Sequence, residues 1–279
     1  MKIAQISDTH LTAADGPTVD GFRLLAHHLN TEVRPDLVVH TGDIQFLHPD
    51  VAEDRARSRE LLDLIEAPLL VVPGNHDVGM PGLGAWAGLV TTDERVAAHE
   101  AVFGPDHWRH DSDEATLLGI DSELLGSGLQ READQWRWLE QTVGELRPGV
   151  PVLLFLHKPV WQVTEEPVGY QTDIGPVARD RLLALLARTE LRAVGCGHLH
   201  RYRAVPRGTV IEVWAPATAY LSAEDDRIEG RHELGFVEWV VAEGAVSAEF
   251  RTVPGMPQLH SADVPAIAET IEAMTGAGV

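Results

Sequence analysis

Only one cysteine, Cys196, occurs in the 279 residues, so no intrachain disulfide can form and nothing calls for an oxidising compartment. Basic charge is also scarce: 22 Lys plus Arg stand against 43 Asp plus Glu, for a formal net charge of -21. Such a chain repels a polynucleotide unless a basic face is concentrated somewhere, and no cluster of Lys or Arg supplies one, so nucleic acid is not an expected partner. No apolar stretch approaches the roughly 20 residues of a bilayer-spanning helix. The N-terminus enters a strand-like run at Met1-Lys2-Ile3-Ala4-Gln5-Ile6, without the apolar core and small-residue cleavage site of a signal peptide. The expectation is a soluble cytoplasmic protein with no membrane partner. Internal repeats and low-complexity linkers are lacking too, which favours a single domain over 1–279.

The 44% hydrophobic content is that of a chain able to bury a core. Short aliphatic runs predict strands at Lys2 to Ile6, Asp36 to His40, Leu69 to Val72, Thr116 to Ile120, Val152 to Leu156, Arg192 to Cys196 and Thr209 to Trp214. Three- and four-residue apolar spacings predict helices at Val19 to Val33, Val51 to Ile65, Arg131 to Leu146 and Pro176 to Leu186. This alternation indicates α/β architecture. Phe236 to Val241 and Ala245 to Thr252, separated by Glu243-Gly244, read as a hairpin, so the sheet is expected to be mixed. Residues 256–279 read as a C-terminal tail with a helix over Val264 to Met274.

Polar clusters follow five of the strand candidates. Asp8-Thr9-His10 leaves the first; in extended chain its outer residues point to one side, so a carboxylate and an imidazole can share an ion. Thr41-Gly42-Asp43 leaves the second and Pro73-Gly74-Asn75-His76-Asp77 the third. His157 ends the run Val152 to Leu156, and Gly197-His198-Leu199-His200 follows Cys196. Any one of these is ordinarily a satisfied turn residue. All five at the carboxyl ends of strands, where ligands of α/β sheets gather, point to a metal-dependent site.

In this order the motifs D-x-H, G-D, G-N-H-D, H and G-H-x-H resemble the calcineurin-like metallophosphoesterase superfamily, over nearly the first 200 residues. The opening Gln5-Ile6-Ser7-Asp8-Thr9-His10 is most similar to its bacterial cyclic-nucleotide phosphodiesterase and glycerophosphodiesterase branch. The resemblance implies a four-layer αββα sandwich of two mixed β-sheets flanked by helices. It implies one metal held by Asp8, His10, Asp43 and His200 and a second by Asp43, Asn75, His157 and His198, with Asp43 bridging. The chemistry agrees, because a carboxylate has two oxygens to share and the neutral Asn amide adds a hard ligand without cancelling metal charge. Two divalent ions against two carboxylates leave the site net positive, which reconciles an acidic protein with an anionic substrate. The reaction implied is in-line attack on phosphorus by a metal-activated hydroxide. His76 protonates the departing alkoxide, Asp77 orients His76, and Gly74 permits the turn that presents both.

Substrate contacts are less constrained. Lys158 stands where many relatives carry a second histidine, and reads either as a phosphate contact or as a surface ion pair; Arg201 offers the same two readings. Trp161 either stacks on a nucleobase or packs, and Asp121 to Leu129 either lines the cleft or only connects. Phe46, at the position of the tyrosine ligand of purple acid phosphatases, cannot coordinate iron. His40 and the remaining histidines read as surface or packing residues. The leading function is hydrolysis of a small phosphodiester, the alternatives being a phosphomonoesterase with the same metals or a non-catalytic metal-binding scaffold. Iron, manganese, zinc and cobalt all suit these ligands.

Overall fold

The computed structural model describes residues 1–82, 88–165, 171–222 and 226–264. Strands β1 (Lys2–Ile6), β2 (Leu37–His40) and β3 (Leu69–Val71) are parallel, and β10 (Phe236–Ala242) pairs antiparallel with β1 and with β11 (Ala245–Arg251). The order in this sheet is β11-β10-β1-β2-β3. The second sheet has the order β4-β5-β6-β7-β9-β8, from β4 (Trp108–Asp111), β5 (Thr116–Gly119), β6 (Val152–Phe155), β7 (Leu191–Cys196), β9 (Val210–Trp214) and β8 (Arg203–Arg207). Its inner four strands are parallel and its two edge strands antiparallel.

The apolar runs are nearly unbroken because both faces of each sheet are covered. Successive side chains alternate between faces, and the cores follow that alternation. Ala4 and Val38 pack outward against Val19, Phe22 and Leu25 of α1 (Pro17–His28) and Leu61 and Leu62 of α2 (Ala52–Leu62). Their neighbours Ile3 and Val39 face inward, against Leu117, Leu153, Phe155, Ala193 and Val213 of the other sheet. Leu118, Leu154 and Val194 then turn to Trp136 and Leu139 of α5 (Gln130–Gly144) and Leu182 and Leu186 of α6 (Pro176–Leu186). Three cores thus separate four layers, the αββα order that the motifs implied. Phe155, fully buried at the centre, meets Trp239 edge-on and Trp108 at a shallow angle. Phe155→Ala is expected to cost about 3–5 kcal/mol in denaturant unfolding.

Four elements escape the periodicity argument. Helix α3 (Asn75–Val78) is a single turn, and α4 (Asp93–Phe103) buries Val96 and Phe103 with a histidine, His99, between them. The signal for α4 lies at its start, where Thr92 caps Arg95 N and Asp93 and Glu94 fill the first turn. Strands β4 (Trp-Arg-His-Asp) and β8 (Arg-Ala-Val-Pro-Arg) are edges, where charged residues and Pro206 are tolerated. The Glu243-Gly244 hairpin forms as expected, with φ of 53 and 79. Of the tail, residues 256–264 are not an α-helix: Leu221 bridges His260 and Ser261–Asp263 is a short 3-10 turn. The rest of the expected helix, 265–274, lies outside the described residues. No described helix is long and apolar enough to cross a membrane.

Candidate metal centre

The loops leaving β1, β2, β6 and β7, together with α3 after β3, converge at one end of the two sheets. Among the described residues, positive φ outside glycine occurs at Asp8, His10, Asp43, His198 and His200, and elsewhere only at Arg34 and Glu243. The shared reach of Asp8 and His10 therefore comes from left-handed backbone (φ 53 and 40) rather than from extended chain. Each such conformation costs on the order of 1–3 kcal/mol and survives only where surrounding bonds dictate it. Those bonds are present. Asp8 N donates to Gly42 O at 3.0 Å, His10 N to Asp43 O at 3.1 Å and Leu11 N to Ile44 O at 2.8 Å, locking the first two loops together. Gly74 serves close approach rather than a turn: its φ of -114 is ordinary, but a Cβ there would overlap the amide and carboxylate of Asp43. Gly197 is similar, since a Cβ would overlap Ser7 Oγ and lie 2.7 Å from Asp8 Oδ2.

Two groups of side chains meet in this region, Asp8 with His10 and His200, and Asp43 with His157 and His198. Asn75 joins the second, its Oδ1 3.0 Å from His157 Nε2. The hydrogen bonds fix which ring nitrogens face inward, because a carbonyl only accepts. His10 Nδ1 donates to Phe46 O at 2.6 Å and His200 Nδ1 to Tyr220 O at 2.9 Å, so both present Nε2, 3.2 Å apart. His157 Nδ1 donates to Thr41 O at 2.7 Å and His198 Nε2 to Gln171 O at 2.7 Å, leaving His157 Nε2 and His198 Nδ1 3.2 Å apart. Facing lone pairs repel unless a cation lies between them. Asp8 Oδ1 completes the first group as a buried oxygen with no hydrogen-bond partner, while Oδ2 accepts from His198 N. Asp43 Oδ1 accepts from His76 N at 2.8 Å; Oδ2 lies 3.3 Å from His157 Nε2 and 4.0 Å from His10 Nε2, within reach of both groups.

These residues fit metal ions, and outer carbonyls that orient ligating imidazoles are the usual support of such sites. The electrostatics say the same. Burial alone depresses an imidazole, and it drives His10 down to about 3, but the Asp43 and Asp8 charges override it at His157 and push that ring up to about 10. His200 is raised against its burial by Asp8. Each group is thus built around one cation, a proton or a metal. At neutral pH a metal must displace the His157 proton. Metal affinity is expected to rise with pH until about 10, where that proton is lost, and binding should release protons. Calorimetry in buffers of different ionisation enthalpy measures that release; an enthalpy independent of buffer would contradict it.

The other sequence candidates divide. His76, at 8% exposure, stands beside both groups, with Nδ1 donating to Leu47 O at 2.7 Å and Nε2 3.9 Å from Asp43 Oδ2. Asp77 does not orient it. The Asp77 carboxylate accepts from the amides of Ile44, Gln45 and Gly74, stapling the Asp43 loop to α3, and burial with the nearby Asp43 charge pushes it up to about 7 against those amides. Lys158 is not a surface residue: it is fully buried and pairs with Glu123, 2.6 Å away. Arg201 is largely buried, at 8% exposure. Trp161 packs against the helix-covered core of the second sheet, with the Arg207 guanidinium 5.3 Å over its ring. In Asp121 to Leu129, the first residues Asp121, Ser122 and Glu123 are buried supports rather than a plain connection.

Residues outside the motifs also hold the centre. His40, buried, accepts from Gly42 N at Nδ1 and meets Thr9 Oγ1 at 2.9 Å, tying the second loop to the first. Gln5 ties Thr41, the Cys196 carbonyl and Trp239 across both sheets. Phe46, Leu47 and Tyr220, whose carbonyls orient His10, His76 and His200, form one apolar cluster with Ala219 and Val264. No motif spacing marks Phe46, Leu47 and Tyr220, because backbone carbonyls act through position rather than identity.

The calcineurin-like phosphoesterase family matches residues 1–202. The chain belongs to that family. As a calcineurin-like phosphoesterase it has a dinuclear metal centre and acts on phosphate esters, and each of its two side-chain groups is able to hold an ion. A probable glycerophosphodiester phosphodiesterase of Arcobacter nitrofigilis is 26% identical over 254 residues, 84% of each chain. A 3',5'-cyclic adenosine monophosphate phosphodiesterase of Pseudomonas aeruginosa is 28% identical over 228 residues, 77% of this chain and 75% of the other. Among solved structures, a purple acid phosphatase from yellow lupin (Lupinus luteus) seeds superposes with a TM-score of 0.66 at 17% identity, over 93% of this chain and 52% of its own. That likeness is one of fold.

Proposed function

We propose that this phosphoesterase hydrolyses small phosphodiesters of the cyclic-nucleotide or glycerophosphodiester type. The observation that carries the reading is Asp43 Oδ2, set between two groups of inward-facing lone pairs with His76 Nε2 3.9 Å away. In this reading Asp8, His10, Asp43 and His200 hold one ion, and Asp43, Asn75, His157 and His198 the other. Iron, manganese, zinc or cobalt would supply Lewis acidity toward the phosphoryl oxygens and the attacking water.

The chain's own residues do the rest. The Leu47 carbonyl fixes the His76 ring so that Nε2 lies on the side of Asp43, and a proton at Nε2 is delivered to the departing alkoxide. Asp77 acts on the backbone, keeping the amides of Gly74, Ile44 and Gln45 where His76 and Asp43 need them. The substrate enters as a small phosphate ester. A diester is favoured over a monoester dianion because Lys158, which would meet the extra charge, is already paired with Glu123. The relatives named as phosphodiesterases support the same preference. The buried Cys196 makes no demand for oxidation and suits a cytoplasmic setting.

A metal-reconstituted preparation is expected to hydrolyse bis(p-nitrophenyl) phosphate with at least about tenfold higher kcat/KM than p-nitrophenyl phosphate, a difference of about 1.4 kcal/mol in transition-state stabilisation. Preference for the monoester would replace the reading with a phosphomonoesterase. Turnover equal to a metal-free blank would leave only a scaffold.

A further inference from the structure

Lys2 and Lys158 are the only lysines in the chain, and Lys158, next to His157, is fully buried. Its surroundings form a closed ring: Lys158 N donates to Ser122 Oγ at 3.0 Å, Ser122 Oγ donates to Glu123 Oε1 at 3.1 Å, and Glu123 Oε2 accepts from Lys158 Nζ at 2.6 Å. The ring is anchored behind by Asp121, whose Oδ1 accepts from Glu123 N, and by Thr91, whose hydroxyl donates to the Glu123 carbonyl. In front, Lys158 Nζ donates to Gln171 Oε1 at 3.1 Å, and the carbonyl of that same Gln171 accepts from His198 Nε2 at 2.7 Å. Lys158 therefore touches both histidines of the second group indirectly, His157 through the chain and His198 through Gln171.

We infer that Lys158 is a positioning residue for the second metal ion, holding the Gln171 carbonyl where it fixes the His198 ring with Nδ1 facing inward. A buried lysine–carboxylate pair gives little net stability over apolar residues of similar volume, so stability alone does not account for this one. A rigid ammonium does account for it: the Gln171 carbonyl has to sit at one place for His198 to present its lone pair, and the pair with Glu123 fixes the donor that holds Gln171. The chain therefore uses this position to aim a ligand rather than to meet phosphate.

The inference rests on His198 being a ligand, and the experiment separates the two. Manganese content and affinity are measured by equilibrium dialysis on the full chain, with the exchange-coupled electron paramagnetic resonance signal of an ion pair as a second readout. His198→Ala tests the ligand reading: it should lose one of two ions, and tight binding of both would overturn that reading. Gln171→Leu keeps the Glu123–Lys158 pair and the Gln171 carbonyl but removes the link between them. It is expected to weaken the second ion by about 10–100-fold, leaving the first unchanged and the coupled signal lost at limiting metal. Glu123→Met combined with Lys158→Met removes both charges without leaving one unpaired, and should act alike. If His198→Ala loses an ion while Gln171→Leu binds both with wild-type affinity, Lys158 has no positioning role.

Discussion

Asp43→Asn is expected to leave the chain folded but unable to hold two ions, and to lower turnover by on the order of 10³. The substitution isolates charge from shape. Asp43 sits at φ 55, a conformation asparagine tolerates, and the amide oxygen can still accept from His76 N. What disappears is the negative charge that faces His157 Nε2 at 3.3 Å and His10 Nε2 at 4.0 Å. His157 should then fall from about 10, since burial depresses it and Asp43 is the foremost charge raising it. The two groups would no longer share an anion, and the second ion would find one carboxylate fewer. Metal analysis after dialysis, with melting in chelator to show that the fold is kept, measures this. A variant that retains both ions and near-normal turnover would deny Asp43 its bridging place.

Much of this centre was legible because its side chains need particular chemistry at strand ends, and strands with both faces covered announce themselves as unbroken apolar runs. Asp8, Asp43, His157 and His198 could be located by reading where each run stops. Their aim could not be read, because it depends on backbone. The left-handed conformations at Asp8, His10, Asp43, His198 and His200 carry only a weak sequence signal, since Asp and His merely visit that region more often than most side chains, and the outer carbonyls of Thr41, Phe46, Gln171 and Tyr220 belong to residues of no common type. Asp77 and Lys158 show the same limit from the other side. Proximity in sequence suggested a carboxylate for His76 and a cation for substrate, yet Asp77 found three amides and Lys158 a carboxylate from a segment 35 residues earlier. A buried charge takes whichever partner desolvation makes most necessary, and that partner is set by the tertiary fold. The edge strands β4 and β8 and helix α4 give no such signal for a related reason: their stability comes from neighbours and caps, not from an apolar period.

His76→Ala should separate acid catalysis from metal binding. The imidazole is not needed to hold an ion in the proposed ligand sets, and its backbone amide, which binds Asp43 Oδ1, is retained in the alanine variant. Metal content should therefore stay at two ions. The loss in turnover should depend on the leaving group. An alkoxide, as from a glycerophosphodiester or a cyclic nucleotide, is too basic to depart unprotonated, so turnover of such diesters is expected to drop by about 10²–10⁴. Nitrophenolate departs readily without a proton, so bis(p-nitrophenyl) phosphate should be affected far less. A linear free-energy plot of turnover against leaving-group pKa should accordingly steepen in the variant. Parallel plots for variant and wild type would mean that His76 only binds substrate. The Leu47 carbonyl makes the acid role geometrically specific, because with Nδ1 donating to it the transferable proton can lie only on Nε2, on the side of Asp43 and the two metal groups.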